Sequence, residues 1–203
     1  MTTTLVTDPR AIDARAADVL FREAHTAYDF DATPVHREQL EEIYDLVRHA
    51  PTAMNTQPLR IVFLTTDEAK ARLLPHLAEP NRPKALSAPV VAILAADTDF
   101  HEHLPRLLPQ NPQAKERFAD DDARAKAAAF NAAIQAGYFI LAVRAVGLDA
   151  GPMGGIDAAG IDAEFLAGSS LQSFLVVNIG HASATGTFPR NPRLEHDEAV
   201  TVL

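Results

Sequence analysis

A polar loop lies between an amphipathic segment and an apolar one, and reads "APTAMNTQP" at residues 50–58. Asn55 and Gln57 each carry two N–H donors and one acceptor, and Thr52 adds a hydroxyl. Neutral groups of this kind suit the polar edge of a heteroaromatic ring. They do not predict proton abstraction, because none of them titrates near neutral pH. The alternative is a simple polar connection between a helix and a strand.

Two other short segments place cationic side chains where they could bind a ligand. In "NRPK", Asn81 and Lys84 lie three residues apart, so on a helix they share one face. An amide beside an ammonium can bind a ring carbonyl or nitrogen that gains negative charge. Arg190 and Arg193, near the end of the chain, could bind a phosphate. Taken alone, each pair could equally be a solvated surface group.

Several classes of protein are disfavoured by what the sequence lacks. There are no cysteines, which excludes disulfides, thiolate nucleophiles and Cys-ligated metals. We find no GxGxxG after a strand, no P-loop, no GxSxG and no HExxH. "HEH" at 101–103 favours a solvated surface segment over a metal site. The glycines of "GPMGGID" at 151–157 favour a turn over a ligand-binding loop. The sequence therefore predicts no metal site.

The formal net charge is −9, which argues against nucleic acid and anionic membranes as partners. No leader is recognised at the start, and no uninterrupted apolar run has the length of a membrane span. These features predict a soluble, cytoplasmic protein.

The elements that must position these residues follow from periodicity and breakers. Residues 1–12 form a predicted loose tail, and 98–121 a proline-rich excursion or lid. The sequence otherwise predicts helices at 13–25, 40–47, from Asp67, 122–146 and 157–168, and strands at 60–66, 88–97 and 173–180. The Ala-rich segment 122–146 predicts a buried core helix or half of a subunit interface, ended by Gly147. We expect a single α+β domain over 1–203.

Together, and in this order, the motifs resemble the FMN-dependent nitroreductase family. The resemblance runs from near His25 to the C-terminus. It rests on "FDATPV" at 30–35, the loop at 50–58, "NRPK", "AIQAGYFILAVRAVGLDAGPMGGID" at 133–157 and "NIGHA" at 178–182. Within the family, "APVVAI", "GLDAGPMGG" and "NPRLEHDEAV" are most similar to the malonic semialdehyde reductase branch.

The resemblance implies a homodimer with a central antiparallel or mixed sheet flanked by helices, a long buried core helix at the interface, and two FMN molecules between the subunits. One subunit would supply Pro51, Thr52, Ala53, Asn55 and Gln57 to each FMN. The other would supply His25, Thr26, Asn81, Lys84, Pro152, Gly154, Gly155, Arg190 and Arg193. Of these, His25, Thr26, Arg190 and Arg193 would hold the phosphate, and Asn81 and Lys84 would face the pyrimidine edge.

The implied activity is hydride transfer from NADH or NADPH to a small-molecule acceptor by ping-pong kinetics. The flavin N5 performs the chemistry, so no catalytic side chain is predicted, and Lys84 gives electrostatic support. The acceptor suggested by the branch is malonic semialdehyde, reduced to 3-hydroxypropionate in pyrimidine degradation. Alternatives are a nitro-aromatic or quinone reductase, a flavin-binding protein without turnover, and an interaction protein that binds no flavin.

Overall fold

The centre of the protein is a four-stranded antiparallel sheet with the strand order β1-β2-β4-β3. The structure is a computed structural model that describes residues 11–203. The strands are β1 (Leu59–Leu64), β2 (Val90–Asp97), β3 (Asp149–Met153) and β4 (Leu171–Gly180). The helices are α1 (Ala14–Ala17, continued by a π-helical turn to Arg22), α2 (Arg37–Val47), α3 (Asp67–Leu73), α4 (Arg82–Ser87), α5 (Leu104–Leu107), α6 (Asp121–Ala145), α7 (Ala158–Phe165) and α8 (His196–Ala199).

Strand β2 is buried along all eight residues, as the apolar run from Val90 to Ala96 predicts, and its last residue, Asp97, is buried as well. Its neighbours are β1, where Leu59 lies opposite Ala96, and β4, where Val90 lies opposite Ile179. Because successive side chains point to opposite faces of the sheet, this strand contributes to a core on each side.

The two cores are separate and are closed by different helices. On one face, Ile43 of α2 and Phe139 and Val143 of α6 belong to the same buried cluster as Leu94 of β2. On the other face, Leu73 of α3 and Ile161 of α7 belong to the buried cluster that contains Val91 and Ile93 of β2. The sheet is therefore covered on both sides, which leaves its ends and edges to carry polar sites.

Helix α6 is the longest element and is well capped. The Asp120 carboxylate accepts the Ala123 N–H at 2.8 Å. At the other end, Gly147 has a φ of +82°, and the Leu148 N–H donates to the Val143 carbonyl at 3.1 Å. Gly147 thus ends the helix as the sequence predicts.

Length and mean hydropathy alone would allow α6 to cross a membrane. An 18-residue window averages 1.3, although Asn131 and Gln135 interrupt its apolar run. From the sequence we expect no uninterrupted apolar run of this length, and the two amides leave that expectation standing. In the fold, 44 % of that window is buried. Helix α6 packs against β1, β2, β3 and α2, so it is the core helix of the domain. Phe130 and Tyr138 remain exposed on its outer side.

The predicted turn at 151–157 is wrong in its first three residues. Gly151, Pro152 and Met153 complete β3, with Gly151 opposite Asn178. A side chain at Gly151 would clash with the Ala27 carbonyl oxygen, which explains a glycine inside a strand. Close backbone approach, and not a turn, accounts for this residue.

The excursion at 98–121 folds into two 3₁₀ segments, Phe100–His103 and Pro112–Phe118, with α5 between them. Phe100 and Phe118 pack edge to face with ring centroids 4.9 Å apart. Whether the excursion opens as a lid stays a prediction. The predicted tail at 1–12 lies mostly outside the described residues. The first predicted helix, at 13–25, is shorter than expected and ends at Arg22.

Candidate functional site

A cationic cavity of about 370 Å³ lies where the C-terminal segment crosses the N-terminal segment. His25, Thr26, Arg144, Arg190 and Arg193 contribute to its lining. The Arg190 guanidinium donates to the Arg22 carbonyl at 2.7 Å and the Ala24 carbonyl at 2.8 Å, and these bonds join the two segments. Guanidinium groups with an imidazole and a hydroxyl around one cavity can bind a phosphate.

Arg144 is a residue of this cavity that the sequence analysis missed. It is half-buried in the last turn of α6, and its Nη1 donates to the Leu20 carbonyl at 3.3 Å. Burial lowers the pKa of the Arg144 guanidinium; Asp149 opposes this shift and Arg190 adds to it. The available signal was a single cation in the otherwise uncharged second half of the helix.

A second cavity, of about 260 Å³, adjoins the first and shares Thr26 and Tyr28 with it. Asn81, Lys84, Pro152, Gly154 and Gly155 also line it. The structure thus brings nine of the predicted site residues, from His25 to Arg193, into two adjoining cavities.

Lys84 points its ammonium across this second cavity. Its Nζ lies 3.0 Å from the Asn81 Oδ1 and 4.8 Å from the centroid of the Tyr28 ring. The Asn81 Nδ2 in turn donates to the Gly155 carbonyl at 3.3 Å. The predicted helical spacing of Asn81 and Lys84 is therefore realised at the start of α4, where the pair presents a cation and an amide together.

The glycines after β3 keep this cavity open. A Cβ at Gly154 would meet nothing within 4 Å, whereas one at Gly155 would lie 3.1 Å from the Asn81 Nδ2. Gly155 thus permits the close approach of Asn81, and Gly154 leaves its backbone accessible to a flat ligand.

The loop at 50–58 is strained and held in place. Met54, Asn55 and Gln57 have φ values of 54°, 55° and 42°, a left-handed conformation that costs about 1–2 kcal/mol for most residues and that asparagine adopts more readily. The Ala53 N–H donates to the Asn131 Oδ1 at 2.7 Å, and the Leu59 N–H donates to the Gln135 Oε1 at 3.0 Å.

Asn131 and Gln135 are buried residues of α6 that the sequence analysis missed as loop supports. Their spacing of four residues places both amides on one face of the helix. Two amides at this spacing in an alanine-rich helix were the signal that could have identified them.

The amides of the loop are partly used within the protein. The Asn55 Nδ2 donates to the Leu107 carbonyl at 2.8 Å, and the Gln57 Nε2 donates to the Asn55 Oδ1 at 2.6 Å. The Gln57 N–H also donates to the Thr52 hydroxyl at 3.1 Å. Among residues 11–203, these bonds leave the side-chain Oε1 of Gln57 and one N–H on each side-chain amide for a ligand, whereas the Gln57 main-chain carbonyl accepts from the Arg60 guanidinium at 2.9 Å.

Five predicted residues lie away from the paired cavities. These are the loop residues Pro51, Thr52, Ala53, Asn55 and Gln57, none of which lines either cavity. Gln57 instead borders a cavity of about 710 Å³ beside β1, together with Arg60 and Arg106. The separation of the five loop residues from the nine predicted residues that line the two cavities agrees with a site shared by two subunits. The shared site stays a prediction because the structure is of one chain.

The two adjoining cavities fit the two ends of a flavin mononucleotide. The cationic cavity suits a dianionic phosphate, and the Asn81–Lys84 cavity suits a flat ring with polar edges. Among the described residues, no group of three His, Asp or Glu side chains lies close enough to hold a metal ion. The guanidinium, ammonium and amide groups that line the two cavities fit a phosphorylated heterocycle.

Comparisons with known proteins agree with this geometry. The sequence model of the nitroreductase family matches residues 21–181. A Streptomyces coelicolor protein with the provisional name NADH dehydrogenase/NAD(P)H nitroreductase is 56 % identical over 190 residues, 93 % of this chain and 94 % of that protein. A Leptothrix cholodnii protein with the same provisional name is 50 % identical over 194 residues, 95 % of this chain and 98 % of that protein.

Solved structures share the fold at low sequence identity. A provisionally named nitroreductase from Exiguobacterium sibiricum, solved in complex with FMN, has a TM-score of 0.80 and 19 % identity, covering 95 % of this chain and 98 % of that one. CLA-ER, an enone reductase of gut-bacterial fatty acid metabolism, has a TM-score of 0.80 and 23 % identity, covering 95 % and 100 %. These matches confirm the predicted α+β fold.

Proposed function

The chain belongs to the nitroreductase family, and on this basis we propose that it is an FMN-dependent oxidoreductase that passes hydride from NAD(P)H to a small acceptor. The observation that carries this proposal is the pair of adjoining cavities, one lined by His25 and arginines and the other by Asn81 and Lys84. FMN, when bound, supplies the hydride chemistry.

In this proposal, side chains of the protein bind FMN and favour negative charge on its ring. Arg190, Arg193, His25 and Thr26 hold the phosphate by charge-assisted hydrogen bonds. Asn81 and Lys84 bind a polar edge of the ring, where the ammonium favours negative charge through a preorganised electrostatic effect. No side chain is needed as a base. NAD(P)H and the acceptor use the same open face in turn, which gives ping-pong kinetics.

A second copy of the chain completes the site in this proposal. The loop residues Pro51, Thr52, Ala53, Asn55 and Gln57 lie away from the paired cavities, so a partner's loop is needed to cover the ring. Phe130 and Tyr138, which are 67 % and 43 % exposed on α6, offer apolar surface for a homodimer. We place the reaction in the cytoplasm, where NAD(P)H is available.

The acceptor we favour is malonic semialdehyde, on the resemblance of "GLDAGPMGG" and "NPRLEHDEAV" alone. The relatives carry the broader name NADH dehydrogenase/NAD(P)H nitroreductase. A nitro-aromatic compound or a quinone is the alternative acceptor. Steady-state kcat/KM for all three compounds, measured with one enzyme preparation, separates these possibilities.

The test of the general proposal begins with the purified protein. We expect a yellow protein with a flavin spectrum that NADH or NADPH bleaches under anaerobic conditions. An Arg190→Gln/Arg193→Gln variant should be purified without colour, whereas the matched control Arg117→Gln, at an exposed position in the excursion, should keep its flavin. A wild-type protein that is colourless and takes up no added FMN refutes the proposal. A yellow protein that neither nucleotide bleaches is a flavin-binding protein without this activity.

A further inference from the structure

We propose that Arg144 is a third arginine for the FMN phosphate, supplied by the core helix. This inference rests on the proposed function and adds to it a residue that the family resemblance does not assign. Arg144 lines the same cavity as Arg190 and Arg193, although it comes from the last turn of α6 and they come from the C-terminal segment.

Charge is the first argument for this assignment. The protein carries 18 Lys and Arg against 27 Asp and Glu, yet three arginines meet around a cavity of about 370 Å³. Burial, with Arg190 as a further cause, lowers the pKa of Arg144, so the cation is held there against desolvation and repulsion. A dianion in the cavity would relieve both costs.

Unused hydrogen-bonding capacity is the second argument. A guanidinium has five N–H donors in a fixed planar arrangement. Among residues 11–203, the hydrogen bond that Arg144 makes is a single long one, 3.3 Å to the Leu20 carbonyl. The nearby carboxylate of Asp149 accepts the Ala182 N–H at 2.8 Å and lies beyond ion-pair distance of Arg144. Donors thus remain for phosphate oxygens.

A purely structural role is the competing explanation. A cation in the last turn of a helix interacts favourably with the helix dipole, and the long Arg side chain can cover apolar surface. Such a role would stabilise the fold without distinguishing ligands that carry a phosphate from ligands that lack it. The presence of the phosphate is therefore the variable to test.

The experiment compares FMN with riboflavin, which has the same ring and no phosphate. Apoprotein of wild type, Arg144→Met, Arg144→Lys and the control Lys126→Met is titrated with each ligand by quenching of flavin fluorescence. Lys126 lies on the same helix, at an exposed position near its other end. Circular dichroism and urea unfolding check that each variant is folded.

We expect Arg144→Met to raise the Kd for FMN by about 10- to 100-fold, the usual effect of losing hydrogen bonds to a charged group. The Kd for riboflavin should change less than twofold, Arg144→Lys should lie between wild type and Arg144→Met, and Lys126→Met should match wild type. Inorganic phosphate should raise the Tm of wild-type apoprotein more than that of Arg144→Met.

Two results overturn the inference. One is an unchanged Kd for FMN in Arg144→Met, and the other is an equal loss of affinity for FMN and riboflavin, which indicates a structural role. Both leave the proposed function intact, because the wild type still binds FMN. A wild type that binds neither ligand overturns the inference and the proposed function together.

Discussion

Asn131 holds the strained loop against α6, and its replacement by alanine tests whether that hold matters for cofactor binding. The Asn131 side chain is 3 % exposed, and its Oδ1 accepts the Ala53 N–H at 2.7 Å. Its Nδ2 bonds back to the Ala127 carbonyl within the same helix. Asn131→Ala removes the first bond, so one end of the loop loses its support on the helix.

The expected magnitude follows from three contributions. Loss of the hydrogen bond to the loop costs about 1 kcal/mol. The packing lost with a small polar side chain adds to this cost, and the better helix propensity of alanine returns about 0.5 kcal/mol. We therefore expect the free energy of unfolding to fall by about 1 kcal/mol, or a Tm lower by about 2–4 °C for a chain of this size.

The same energy sets the effect on binding. Once the bond is lost, the left-handed residues of the loop at 50–58 favour its detachment from α6. A change of 1 kcal/mol alters the ratio of attached to detached loop about fivefold. If a partner's loop contacts the flavin, the Kd for FMN should rise by up to about fivefold.

Urea denaturation and FMN titration of the same preparations measure the two effects, with the exposed Gln110→Ala as the control. An Asn131→Ala variant that loses stability and keeps the wild-type Kd would show that this loop takes no part in binding FMN.

Three further predictions concern single residues. Lys84→Ala should slow anaerobic reduction by NADH about 100-fold, as for loss of one preorganised donor, and an unchanged stopped-flow rate at full FMN occupancy would exclude its electrostatic role. Gly151→Ala should lower the free energy of unfolding by about 1–3 kcal/mol because the new Cβ meets the Ala27 carbonyl, and wild-type urea stability would contradict that contact. Gly147→Ala should cost about 1 kcal/mol because its φ is +82°, although a Cβ there meets no atom within 4 Å; an unchanged Tm would show that the helix end readjusts.

The sequence predicted those parts of the fold that depend on local pattern. The unbroken apolar run of β2, the Ala-rich α6 and its end at Gly147 follow from periodicity and backbone preference. Strand β3 was missed because Gly151 and Pro152 are turn residues by propensity, and only the contact with Ala27 explains the glycine. Such a contact between distant segments has no local signature.

The candidate site was predictable where its residues are neighbours in sequence. Asn81 and Lys84 lie one helical turn apart, so their pairing could be expected. Arg144 and Asn131 could not be assigned in this way, because each acts on a segment more than 70 residues away along the chain. Their roles depend on how α6 packs against the N-terminal segment and the loop.

Helix α6 also restricts how this protein can evolve. Asn131 and Arg144 are thirteen positions apart on one continuous helix, a distance of about 20 Å. Deleting one residue between them would swing one of the two side chains by about 100° around the axis. Homologous proteins should therefore keep the length of this helix between the two residues constant, and should gain or lose residues in surface connections such as 108–111 instead.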